Sequence, residues 1–113
     1  MPENTSVSVT KKVSRHFAVG HPAAEGHFPG NPIIPGAVLL REIVAAISSG
    51  EESGGDAARC RDIRSAKFHH PVRPGDSIVV SWTEEAGGEV RFSCSVAGSR
   101  RQAVTGALRL DPL

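Results

Sequence analysis

The sequence predicts an α+β fold in which an antiparallel β-sheet wraps around one central helix. One alternating apolar segment comes first, a single segment with helical spacing follows it, and four more alternating segments separated by turn signals complete the chain. Strands joined in hairpins with one amphipathic helix pack as an antiparallel sheet that the helix covers on one face. With 113 residues, the chain (1–113) is predicted to form one domain with a modest core.

The first strand and the helix are each predicted from the spacing of apolar residues. A strand over roughly residues 6 to 19 is predicted because its apolar residues stand at odd-numbered positions, which share one face of a strand: Val7, Val9, Val13, Phe17 and Val19. The helix, ending near residues 48–50, follows from apolar residues at helical spacing: Leu39, Leu40, Ile43, Val44 and Ile47. The small residues of this segment, Ala37, Ala45 and Ala46, suit a helix that a sheet surrounds closely.

Four strands are predicted in the second half of the chain. The first runs from Arg59 to His69, the second starts with Ile78, Val80 and Trp82, the third has Val90 to Val96 in alternation, and the last contains Val104, Leu108 and Leu110. Turn signals rich in proline and glycine separate them, at Pro71–Asp76, Ala86–Gly88 and Gly98–Ser99. A polar connection of residues 50–58 joins them to the helix. A single helix covers only one face of so small a sheet, so the sequence also predicts a homodimer or higher homo-oligomer.

Composition excludes several functional classes. The net charge of +1, with both signs interspersed, gives no reason to expect nucleic acid or an anionic membrane as a partner. No signal peptide or spanning apolar run is visible, which predicts a soluble cytoplasmic protein. Cys60 and Cys94 lie too far apart for a CxxC motif, and the five histidines form no HxxxH pair, so neither a metal nor another cofactor is predicted.

The segment before the helix carries the strongest functional signal. His27 lies in a loop that contains Pro29, Pro32 and Pro35, whose fixed φ angles make the loop stiff, and Gly36 follows. The loop therefore holds a histidine beside a helix N-terminus, where free N–H groups attract developing negative charge. That combination suits proton removal beside a carbonyl. On residue chemistry alone, a structural histidine in an ordinary loop is the competing interpretation.

The motif His-Phe-Pro-Gly-x-Pro-x-x-Pro-Gly from His27 to Gly36 resembles that of the hot-dog-fold 3-hydroxyacyl-acyl-carrier-protein dehydratases. The run Ala66-Lys67-Phe68 leading into Pro71–Asp76 is also similar to the entry of that family's third strand. The chain looks most like the short, single-domain members related to the aryl-polyene and hydroxymyristoyl dehydratases. The resemblance spans nearly the whole chain.

The resemblance implies a mechanism. The histidine matching His27 removes the C2 proton of a (3R)-hydroxyacyl thioester, and the N–H matching Gly36 polarises the thioester carbonyl. A carboxylate from the partner subunit protonates or positions the departing hydroxyl, and the acyl chain lies in a tunnel between the subunits. The implied partner is an acyl carrier protein bearing a phosphopantetheine-linked acyl chain. Contacts with this substrate are expected from Phe28, Pro35, Ala37, Phe68 and His70.

The chain departs from the family at the acid. The family's Asp or Glu falls five residues after the Pro-Gly glycine, and Arg41 occupies that position here, with Glu42 next to it. A guanidinium does not release its proton near neutral pH and cannot serve as a general acid. Successive helix residues point about 100° apart, so Glu42 is no automatic replacement.

Three outcomes stay open. The lyase is weakened or altered and relies on His27 and Gly36, the helix is shifted so that Glu42 serves, or the domain binds acyl thioesters without dehydrating them. A hot-dog thioesterase is a further alternative. It would need a carboxylate to activate water, and the absence of an acid at Arg41 argues against it.

Overall fold

The computed structural model describes residues 9–21, 32–49 and 60–111. Its elements are β1 (Val9–His16), α1 (Gly36–Ser49), β2 (Cys60–Phe68), β3 (Ser77–Glu84), β4 (Glu89–Val96) and β5 (Gln102–Leu110). The five strands form one sheet in the order β1-β3-β4-β5-β2, and every neighbouring pair is antiparallel. The α+β hot-dog architecture predicted from the sequence is confirmed. Strands β1 and β2 form the two edges of the sheet.

The core lies between α1 and the inner face of the sheet. One stripe of the helix is completely buried, and its members recur at the spacing of an amphipathic helix: Leu39, Ile43, Ala46 and Ile47. The alternation predicted for β3 and β4 is also confirmed, since every second residue is buried there: Ile78, Val80, Trp82, Val90, Phe92 and Cys94. The helix is therefore central and anchored by aliphatic contacts.

Strand β2 departs from regular alternation. Along its pairing with β5, the register shifts once between Cys60 and Asp62 and again between Ile63 and Ser65. Each shift leaves one extra residue in β2, which is a β-bulge. Gly106 accommodates the distortion, because a Cβ there would overlap the carbonyl oxygen of Ser65 and the ring of Phe92.

The prediction for the end of the first strand was wrong. Strand β1 ends at His16, and Val19 lies in a turn and is 80% exposed. Phe17 is buried and still bonds to the segment before β3: its backbone N–H donates to the Asp76 carbonyl at 2.9 Å, and its carbonyl accepts the Gly75 N–H at 2.7 Å. The chain turns only after this residue. Residues 6–8, where the strand was predicted to begin, lie outside the described residues.

The two cysteines lie in strands and stay protonated at neutral pH. Cys94 is fully buried in β4, and burial raises the pKa of its thiol to about 12. The pKa of the Cys60 thiol is also raised, first by burial and then by the nearby carboxylates of Asp62 and Asp111. Neither thiol is therefore activated as a nucleophile. In the described ranges, no helix is long and apolar enough to cross a membrane.

Candidate active site

The candidate site is built around the first turn of α1. The Pro35 carbonyl accepts the first helical hydrogen bond from the Leu39 N–H at 3.0 Å, so the helix starts where the motif predicts. The first N–H groups of an α-helix have no acceptor inside the helix, and proline itself has no N–H group. Gly36 therefore provides the first free donor, at the positive end of the helix dipole. The arrangement can stabilise an oxyanion.

The start of α1 is tied to the connection between β2 and β3. The Ile34 N–H donates to the Val72 carbonyl at 2.7 Å, and both side chains are buried. Val72 precedes a tight turn in which Asp76 Oδ2 accepts the Arg73 N–H at 2.9 Å. Because this connection is itself fixed by the turn, the helix N-terminus is held rigidly against the end of β2.

Phe68, the last residue of β2, lies across the helix start. A Cβ placed on Gly36 would come within 3.2 Å of two atoms of the Phe68 ring, Cε1 and Cζ. The ring is nevertheless 54% exposed. The absence of a side chain at residue 36 thus lets an aromatic ring lie against the first residue of the helix, and about half of the Phe68 surface stays exposed.

The histidines described near this region differ in their environment. The His69 ring contacts the Thr105 hydroxyl, with 2.8 Å between Nε2 and Oγ1, and its backbone N–H donates to the Ala103 carbonyl at 2.8 Å. His70 is half-buried beside it. His16 is at the end of β1, with its Nδ1 2.9 Å from the Ser77 hydroxyl. His27 and Phe28 lie outside the described residues.

Arg41 lies in an open apolar groove beside the helix. The groove encloses about 350 Å³, and its lining consists of Ala37, Leu40, Arg41, Val44, Ala45 and Ile63. Glu42 is half-buried and does not take part in this lining. Arg41, at the position where the resemblance implies an acid, therefore lies on an apolar surface, and its guanidinium does not release a proton near neutral pH.

The structure thus brings Gly36 and Phe68 together, with Pro35 at the helix start, and places Ala37 with Arg41 in the groove. Sequence reasoning did not find Ile63 as part of the groove. The available signal was a second apolar stripe on the helix, beside the one that packs on the sheet: Ala37, Leu40, Val44 and Ala45. A helix that is apolar on two sides needs cover on both.

Comparison with known proteins is consistent with this geometry. The model of the ApeI-like family, described as ApeI dehydratase, matches residues 3–107. The chain belongs to the ApeI-like dehydratase family. The match extends from residue 3 to residue 107, so it includes the loop-to-helix segment with His27 and Gly36 as well as the strands.

The ApeI-like chain is also similar to individual proteins. A 3-hydroxyacyl-[acyl-carrier-protein] dehydratase FabZ of Nitratiruptor sp. is 37% identical over 78 residues, covering 59% of this chain and 52% of the relative. FabZ of Levilactobacillus brevis is 29% identical and covers 91% of this chain and 71% of the relative. The chain thus spans about half the length of the first of these relatives.

Among solved structures, one chain of the dehydratase heterocomplex ApeI:P from Xenorhabdus doucetiae aligns with a TM-score of 0.69 at 15% identity, covering 96% of this chain and 100% of that one. At this identity the likeness establishes the fold alone. It places the ApeI-like chain in the hot-dog architecture over nearly its full length.

Proposed function

We propose that this protein dehydrates (3R)-3-hydroxyacyl thioesters, carried on an acyl carrier protein, to trans-2-enoyl thioesters. The observation that carries the proposal is the glycine-initiated helix of the family motif, whose first free N–H belongs to Gly36. The FabZ relatives are 3-hydroxyacyl-[acyl-carrier-protein] dehydratases, which supports the substrate class. A cytoplasmic location is part of the proposal, since a soluble carrier protein would deliver the substrate.

The reaction follows from two groups. His27 takes the C2 proton as a general base, and the electron pair moves onto the thioester carbonyl. The resulting oxyanion is stabilised by the Gly36 N–H and the helix dipole. When the carbonyl re-forms, the electrons make the C2–C3 double bond, and the C3 hydroxyl leaves as water after gaining a proton. Phe68, Pro35 and His70 are proposed to contact the thioester and its pantetheine arm.

The proton for the departing hydroxyl has no donor at the usual position. Arg41 supplies a positive charge beside the apolar groove and retains its proton near neutral pH. We therefore propose a slow dehydratase, in which water or protonated His27 delivers that proton. Loss of a general acid costs roughly 10²–10⁴ in rate and leaves the base and the oxyanion donor in place.

A second candidate is a subunit that binds acyl thioesters without dehydrating them. Arg41 in the groove favours this alternative, because its guanidinium could hold an anionic part of a carrier-linked substrate without chemistry. The thioesterase alternative has less support, since hydrolysis needs a carboxylate base that the groove lacks among its lining residues.

One assay separates these candidates. The protein is incubated with 3-hydroxyacyl-carrier substrates of several chain lengths, and enoyl thioester and free thiol are measured in parallel. A dehydratase produces enoyl thioester without free thiol, a thioesterase releases free thiol, and a binding subunit does neither. Failure to form enoyl thioester with any chain length, in a folded protein that binds the substrate, would favour the binding subunit.

We also propose that the functional unit is a homodimer whose sheets join edge to edge. The second apolar stripe of α1 faces the groove beside edge strand β2, and Ile63 is 42% exposed there. A second copy at this edge would cover the stripe. We expect sedimentation velocity at micromolar concentration to show a dimer. A folded monomer under those conditions would contradict the proposal.

The contact between Gly36 and Phe68 gives a further test of the site. Gly36→Ala is expected to lower kcat/KM by up to about 10²-fold, because the added methyl group displaces the Phe68 ring from the free N–H groups. Alanine favours the helix, so the melting temperature should not fall. Steady-state kinetics and thermal melts measure both effects. Gly20→Ala is the matched control, since its added Cβ meets nothing within 4 Å. Unchanged kinetics for Gly36→Ala would contradict the role of this contact.

A further inference from the structure

Among the described residues that line the apolar groove beside α1, Arg41 alone is charged. Residues three or four positions apart on a helix are side-chain neighbours. For Arg41 all four of these positions hold apolar residues: Ala37, Val38, Val44 and Ala45. No neighbour on the helix can therefore neutralise its guanidinium.

Arg41 also differs from the arginines of the sheet. Each arginine on strands β2, β4 and β5 has a carboxylate oxygen within 3.7 Å: Arg61, Arg64, Arg91 and Arg109. Arg41 is exposed and forms no ion pair within residues 9–21, 32–49 and 60–111. A guanidinium in this setting suits a ligand that is apolar along its length and anionic at one end.

The groove starts next to the proposed oxyanion donor. Ala37, in its lining, directly follows Gly36, and Arg41 lies about one helical turn beyond Ala37. At a rise of about 1.5 Å per residue, Gly36 and Arg41 are roughly 7.5 Å apart along the helix axis. The enclosed volume of about 350 Å³ is at the lower end of the range for small-molecule pockets. A thioester held at Gly36 therefore has room in the groove for a short acyl chain that reaches Arg41.

We propose that the groove takes the acyl chain of the substrate and that Arg41 binds a carboxylate at the far end of that chain. The inference rests on the proposed function, which places the thioester at Gly36, and it names the substrate class as short acyl thioesters with a terminal carboxylate. A guanidinium matches a carboxylate through two parallel N–H···O hydrogen bonds. Arg41 is thus a specificity-determining residue, at the position where the resemblance implies an acid.

The preference has an attractive and a repulsive part. A terminal carboxylate gains charge-assisted hydrogen bonds to Arg41 beside apolar surface, whereas a terminal methyl group takes water from the guanidinium without a compensating bond. In the proposed homodimer a second copy covers the groove, and the lower dielectric strengthens both parts. An acid at position 41 would repel the carboxylate, so any gain in turnover from it is expected only with acyl chains that end in a methyl group.

Binding of two pantetheine thioesters tests the inference on the full chain. Adipoyl-pantetheine and hexanoyl-pantetheine have acyl chains of equal length, and only the first ends in a carboxylate. Neither carries a 3-hydroxyl group, so titration calorimetry measures binding without dehydration. We expect the wild-type protein to bind the adipoyl thioester about 10- to 100-fold more tightly. Arg41→Gln should remove this preference and leave the affinity for the hexanoyl thioester nearly unchanged.

Arg91→Gln is the matched control. Arg91 is also exposed, but it lies between the buried residues Val90 and Phe92 of β4 and so belongs to the outer face of the sheet, away from α1. This variant should keep the wild-type preference. Equal wild-type affinities for the two thioesters would overturn the inference, as would no binding of either one. An equal loss of both affinities with Arg41→Gln, or the same change with Arg91→Gln, would also overturn it.

Enoyl-thioester formation is measured separately, so the inference and the proposed function can fail independently. A protein that shows the binding preference but forms no enoyl thioester retains the carboxylate site and loses the proposed dehydration. Dehydration without the binding preference gives the reverse result.

Discussion

Replacing His27 by alanine is expected to abolish detectable dehydration, a loss of at least about 10²–10⁴-fold in turnover. The proposed function assigns the C2 proton to His27 and the oxyanion to the start of α1, and no second base is proposed. The measurement is enoyl-thioester formation from a 3-hydroxyacyl-carrier substrate, together with a thermal melt showing that the variant is folded.

His16→Ala is the matched control for this prediction. His16 is exposed at the end of β1, and its ring contacts only the Ser77 hydroxyl among the contacts described for it, so turnover should stay nearly unchanged. Equal losses from the two substitutions would indicate a general effect on folding. In that case the catalytic role of His27 would have to be abandoned.

Arg41→Asp is expected to raise turnover, by up to about 10²–10⁴-fold if the new carboxylate is well placed. The substitution puts a proton donor at the family's acid position, in a groove whose apolar lining raises the pKa of a carboxyl and so favours its protonated form. The steady-state rate of dehydration, measured at several pH values, checks this. A gain confined to pH values below the pKa of the new carboxyl would show that the acid form is responsible.

Glu42→Gln is the companion variant. Its side chain leaves the helix about 100° from that of Arg41, and it does not line the groove, so little change in rate is expected. The opposite pattern, with Glu42→Gln inactive and Arg41→Asp neutral, would identify Glu42 as the acid. If wild type is already fast and neither substitution matters, the acid comes from elsewhere, and His70 becomes the next residue to test.

Regular elements with one buried face could be predicted from the sequence. Strand β4 alternates without interruption, and its inward residues Val90, Phe92 and Cys94 are all buried. The helix also has the predicted bounds, because proline and glycine mark its start. The failure at Val19 has a local cause: the alternation of apolar residues continues past Phe17, whereas the chain turns directly after Phe17 has bonded to the backbone of Gly75 and Asp76.

Strand β2 was harder to interpret because its inward residues do not alternate. Cys60, Ile63 and Ala66 recur every third residue, a spacing that fits neither a regular strand nor a helix. The bulges that produce it depend on pairing with β5, which sequence patterns do not reveal. The candidate site could also be predicted only in part. The motif predicts the helix start, whereas the contact of Phe68 with Gly36 joins residues 32 positions apart and depends on the tertiary fold.

The two edges of the sheet differ in a way that limits how far association can proceed. Strand β1, at the far edge, carries Lys11, Lys12 and Arg15, with Lys11 held to Glu84 at 3.3 Å. Lysine and arginine side chains on an edge strand oppose pairing with another sheet, because a second copy would bring the same cations alongside. Pairing of two copies through β2 alone would stop at a dimer, whereas pairing at both sheet edges would produce an open-ended polymer. In the proposed homodimer, the sheets would therefore join at one edge without forming fibres.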